Sequence, residues 1–199
     1  MTQLSAFYDN YAKSMYGTFE RVIAQIPCEA PAAQRYSLAR TCEDCKKTYK
    51  KWLCAVAIPR CEDFTTDNAL AVARNVNAAF PNGTKLPDEV RAQFRQPANN
   101  VSRNPRIDTD VAPGPYKEIL PCDMLCYELV QSCPAAMGFG CPQPGMLNFN
   151  QSYGRGDGTD GRCNYPGVPR AQAGSPRGVV VSSWALLGAM AASAIALSL

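Results

Sequence analysis

Histidine is absent from all 199 residues of the chain. That absence removes the usual general base at neutral pH and the commonest transition-metal ligand. Ser-His-Asp and Cys-His nucleophilic catalysis both need an imidazole, so both are excluded. Charge imbalance is scarce too: 20 Lys and Arg stand against 17 Asp and Glu, a net of +3. No strongly basic stripe with interleaved aromatics occurs, so nothing supports a nucleic-acid partner. Residues Met1 to Asn10 lack the basic and apolar stretches of a secretory leader. The final 22 residues, Gly178 to Leu199, lack any charge, and no cysteine lies outside Cys28 to Cys163.

Cysteine itself is plentiful. Cys28, Cys42, Cys45, Cys54, Cys61, Cys122, Cys126, Cys133, Cys141 and Cys163 make an even set of ten in a loop-rich chain. Such a set reads as a disulfide framework, with all ten expected as half-cystines in an oxidising compartment. A chain of this length fits one domain with a modest core, which cross-links would reinforce. The missing leader conflicts with secretion, so the chain reads as the C-terminal portion of a larger protein.

Apolar residues at Leu4, Phe7, Tyr11, Met15, Phe19, Val22 and Ile26 follow helical spacing and stop at Pro27. A second helix is predicted from about Ser37 to Ala57, with Cys42, Cys45, Tyr49, Trp52 and Val56 on one face. Arg40, Glu43, Lys46, Lys47, Lys50 and Lys51 face the other way as a solvated surface. Residues 61–121 read as a long loop insertion broken by Pro81-Asn82-Gly83, Pro97, Pro105 and Pro113-Gly114-Pro115. A short helix over Asp67 to Phe80 is the one element expected there. Cys122, Cys126, Leu129 and Cys133 share the face of a further helix, entered at Pro121 and ended at Pro134. Sequons for N-glycosylation occur at Asn82, Asn100 and Asn150.

Cys42-Glu43-Asp44-Cys45 is a Cys-x-x-Cys unit, but it lies in a helical pattern with no preceding strand. A redox motif would want a βαβ context, and zinc would want a second such pair or histidines. Both residues therefore read as structural half-cystines. Glu62, Asp63 and the loop Arg155 to Gly161 carry the carboxylates that a hard divalent cation such as calcium would take as ligands. The loop does not follow the EF-hand pattern and reads as surface. No metal, cofactor or enzymatic activity is expected.

Trp52 to Cys61 resembles the leucine-cysteine, apolar, proline-x-cysteine signature of frizzled-type cysteine-rich domains. Leu120-Pro121-Cys122-Asp123-Met124-Leu125-Cys126, continuing to Cys133, resembles its next part. More narrowly, Tyr49 to Phe64, Pro121 to Cys141 and Cys163-Asn164-Tyr165-Pro166-Gly167 are similar to the fungal stretch-activated calcium-channel component family. Phe7-Tyr8-Asp9 and Ile26-Pro27-Cys28 fit the same family. The resemblance covers about residues 4 to 167. It implies an auxiliary subunit of a high-affinity calcium influx system, docked on a pore-forming calcium-channel subunit at the plasma membrane. It also implies that Cys122, Cys126 and Cys133 bond to other segments rather than to one another. That family's leader and glycosylated N-terminal half have no counterpart here, and the Cys61 to Cys122 segment is far longer than in frizzled domains.

The expected architecture is a mainly α, disulfide-rich, frizzled-like domain over 1–167, a linker over 168–183 and an apolar tail over 184–199. The tail is long enough to span a bilayer, yet its flanking Arg170 and Arg177 lie on the luminal side, against the positive-inside pattern. Small residues Ala173-Gly174-Ser175, a spacer and an apolar end instead suggest a glycosylphosphatidylinositol (GPI) signal, attached at Ala173 or Gly174. A retained membrane helix is the other option. The expected location is the extracellular face of the plasma membrane, reached through the secretory pathway. A rival reading is a secreted or GPI-anchored module that binds a ligand or the cell wall through the same scaffold.

Overall fold

A computed structural model describes residues 2–27, 30–37 and 39–167 of the chain. The elements run α1 (Thr2–Ile23), α2 (Cys42–Ala57), β1 (Arg60–Glu62), β2 (Ala71–Arg74), α3 (Asp88–Arg91), β3 (Tyr116–Ile119), α4 (Asp123–Ser132) and α5 (Phe149–Ser152). Short 3₁₀ turns and one π-helical turn, Ile107–Val111, fill the connections.

α2 starts later than its apolar spacing predicts because Thr41 caps it. The Asp44 amide donates to the Thr41 hydroxyl, and the Thr41 amide donates back to the Asp44 carboxylate at 2.9 Å. This capping box fixes the helix entrance, and Glu43 and Asp44 suit the positive end of its dipole. Cys45, Tyr49 and Leu53 recur at intervals of four and are buried. α1 lays Phe19 and Ile23 on that face, with Phe19 stacked on Tyr49 at 3.8 Å between ring centres. Leu129 and Cys133 from the α4 end complete this core.

The expected helix over Asp67 to Phe80 is overturned. Ala71–Arg74 forms β2, and the next residue, Asn75, takes φ +52°, which no α-helix can pass through. β3 lies between β1 and β2 in an antiparallel sheet, pairing Cys61 with Glu118 and Val72 with Glu118 from either side. The long insertion is therefore not all loop. It carries three strands, a short helix and a small core of Ala73, Val76 and Leu86 beneath Phe64, Phe80 and Phe94. The domain is a disulfide-rich assembly of helices with a small sheet, rather than mainly helix and loop.

Three disulfides join described residues: Cys45–Cys133, Cys122–Cys163 and Cys126–Cys141. Cys42 is disulfide-bonded as well. Each of the three bridges ties a helix or its end to a different part of the chain. Cys54 and Cys61 depart from the expectation that all ten pair: both carry free thiols and are exposed. The helix supplies a reason for Cys54, which sits half a turn round from buried Cys45 and so faces away from the core. Cys28, the linker with Ala173 and Gly174, and the apolar tail lie outside the described residues. Among those described, no helix is long and apolar enough to cross a membrane.

Candidate functional site

The most heavily constrained side chains surround Glu118 on the central strand. Its side chain is 1 % exposed, and each carboxylate oxygen accepts from a different arginine. Arg74 Nε lies 2.7 Å from Oε2 and Arg103 Nε 2.7 Å from Oε1. Arg74 also donates to the carbonyls of Ala98 and Gln151, and Arg103 donates to that of Ser152. The strand pairing holds Glu118 and Arg74 on neighbouring strands, and the two guanidiniums then clamp α5 against the sheet. A charge this buried is tolerable because it is paired and hydrogen-bonded on both sides. Periodicity did not reveal it: Glu118 occurs in a four-residue strand beside Lys117, where no apolar alternation marks a buried face.

A second polar cluster flanks it. Asn75 Nδ2 donates to Ser102 Oγ at 3.1 Å and to Asp108 Oδ1 at 2.6 Å. Tyr116 donates its hydroxyl to the same Ser102 Oγ at 2.8 Å, and the Ser102 amide donates to Asp108. Burial pushes the Tyr116 phenol well above its ordinary value. These groups satisfy one another and hold Asn75 in its left-handed conformation.

The carboxylates considered for calcium are not brought together. Glu62 is buried and accepts from Asn68. Asp63, Asp157 and Asp160 each accept the backbone amide two residues on, from Thr65, Thr159 and Arg162. Those amide bonds hold all three carboxyls below their ordinary range. Among the described residues no cluster of three or more His, Cys, Asp or Glu could hold a metal ion. Asp123 accepts from the Gly156 amide at 3.0 Å and so moors that loop to the start of α4.

Cys42 and Cys45 do not form a redox dithiol, since Cys45 is bonded to Cys133. Cys61 is exposed as a residue, yet its sulfur sits far enough in against the sheet that burial pushes the thiol up to about 11, with Glu118 opposite adding to the effect. Lys47, Lys50, Lys51 and Cys54 occupy the outward face of α2, where Lys50 lies over the Tyr16 ring and Lys51 over that of Tyr165. The buried charges Arg74 and Glu118, with Arg103 beside them, are engaged with one another in holding the fold.

The sequence profile of the family described as the stretch-activated Ca2+-permeable channel component matches residues 1–168. The chain belongs to that family. Among its relatives, the stretch-activated cation channel yam8 of Schizosaccharomyces pombe is 38% identical over 175 residues. That alignment covers 86% of this chain and 31% of yam8. The stretch-activated cation channel MID1 of Saccharomyces cerevisiae is 32% identical over 170 residues, covering 83% of this chain and 26% of MID1. A Cryptococcus neoformans MID1 is 28% identical over 118 residues, covering 59% of this chain and 18% of that relative. The chain thus spans about a third or less of these family members. No solved structure matches it.

Proposed function

We propose that this chain is an auxiliary component of a calcium influx channel in the plasma membrane, and that it docks on the extracellular side of a pore-forming subunit. The observation that carries this reading is the family match across residues 1–168, which includes the whole disulfide-braced domain. Relatives are named as stretch-activated cation channels. The described elements support an assembly role rather than a conduit: α1 packs Phe19 and Ile23 on α2, and the buried carboxylate of Glu118 is neutralised by two arginines. Seven disulfide-bonded cysteines among the described residues suit a compartment that oxidises thiols, and the cysteine blocks suit a frizzled-like scaffold. Attachment to the membrane follows through a GPI anchor at Ala173 or Gly174, and the sequons fit display outside the cell.

Affinity purification of the tagged protein from its own cells, after detergent extraction, tests the docking. A large pore-forming channel subunit should co-purify in stoichiometric amount. Its absence from a preparation that retains the folded, oxidised protein would remove this reading.

A further inference from the structure

The fold treats the three sequons unequally. At the first, Phe80 and Thr84 close a tight turn, with the Phe80 amide donating to the Thr84 carbonyl at 2.8 Å. Asn82, Gly83 and Thr84 are all exposed there. Asn82 Oδ1 accepts from the Thr84 amide at 3.0 Å and from the Thr84 hydroxyl at 2.7 Å. Both bonds fall on Oδ1, so neither engages Nδ2, the atom that would take a sugar. Gly83 has φ +84°, and a Cβ built on it would meet nothing within 4 Å. The asparagine amide and the hydroxyl two residues on are presented together on an open turn.

The second sequon is closed. Asn100 is exposed, but the hydroxyl it needs belongs to Ser102, which is 4% exposed and already accepts from both Asn75 and Tyr116. The third lies in α5. There the carbonyls of Gln151 and Ser152 accept from Arg74 and Arg103, the two guanidiniums bound to buried Glu118. Freeing that backbone means breaking the ionic centre.

We propose that Asn82 is the N-glycan acceptor of the folded domain, and that folding closes Asn100 and Asn150 to the same transfer. The donor is an oligosaccharide linked through a diphosphate to a lipid. Asn82 Nδ2 bonds to the anomeric carbon as the carbon–oxygen bond to the diphosphate breaks. Nδ2 gives up one proton, and the lipid diphosphate leaves. The biological setting rests on the secretory reading above, but the chemistry of the turn does not.

The test uses the full chain, purified with its disulfides formed, together with an oligosaccharyltransferase and a lipid-diphosphate oligosaccharide. Site occupancy is read by mass spectrometry. The folded chain should gain one glycan, on Asn82, with Asn100 and Asn150 modified about tenfold less or lower still, because each needs a local opening. The reduced and alkylated chain should gain glycan at Asn100, about tenfold above the folded level. Folded Asn82→Gln with an unchanged circular dichroism spectrum should gain no more than that residual glycan at Asn100 and Asn150. Transfer to Asn100 or Asn150 as fast as to Asn82 in the folded chain, or an empty Asn82 in the folded chain, would overturn the inference. Neither result depends on whether the protein meets a channel.

Discussion

Glu118 illustrates how one side chain can organise several elements without doing chemistry. Replacing it with glutamine keeps the shape but leaves Arg74 and Arg103 facing a neutral amide in a buried site. Losing one partner of a buried ion pair costs about 3–5 kcal/mol. Urea unfolding of Glu118→Gln should therefore show a loss of that order, whereas a loss below about 1 kcal/mol would mean that water reaches the site. Cys54 and Cys61 make a second prediction at this scale. Alkylation of the native, unreduced protein should label both of them. Cys61 should react slowly until the pH approaches about 11, because burial and Glu118 disfavour its thiolate. Finding both residues inert at every pH would show that they are bonded after all. None of these roles was legible. A glutamate, an arginine and a cysteine look alike in sequence whether they end up paired, clamped or free.

The helices were legible because their signals are local. Apolar spacing marked α1, α2 and α4, and Pro134 marked where α4 stops. The capping box at Thr41 and Asp44 moved the start of α2 later than apolar spacing alone suggests. The strands were hidden for the opposite reason: β1, β2 and β3 hold three or four residues each, and Arg60, Glu62, Lys117 and Glu118 interrupt any alternation. Their pairing is long-range, and the left-handed Asn75 directly after β2 rules out the helix expected from Asp67. The capping carboxylate gives the elements a shared pH dependence. Hydrogen bonds from the Thr41 amide and hydroxyl hold Asp44 below its ordinary 3.8, and Asp63, Asp157 and Asp160 are lowered by their own turns. The unfolded chain therefore takes up protons at these groups before the folded protein does. The stability they contribute is present above about pH 4 and drains away as the pH falls below it. Urea midpoints should be flat from pH 7 to pH 5 and fall towards pH 3, and Asp44→Asn should narrow that fall. A midpoint that rises on acidification would contradict the assignment.

At the scale of the molecule, the cysteines carried the recognition and the helices carried the frame. Blocks such as Trp52 to Cys61 and Pro121 to Cys133 are specific enough to point to the channel-component family that the profile match then established. Pairing was not legible, because ten cysteines constrain one another only once the chain has folded. The structure joins α2 to the end of α4 through Cys45–Cys133 and pins residues near 163 to the start of α4 through Cys122. Asn164 then reaches the Ala55 carbonyl at 3.0 Å, so the last described segment closes back on α2. The result is a domain in which α4 and the last described segment are both tied back to α2.

Calcium influx itself is the most direct measure of that account. Uptake of radioactive calcium should drop in cells deleted for the gene and return when the wild-type gene is restored. Uptake that stays normal in the deletion strain, with the pore-forming subunit still at the cell surface, would contradict it.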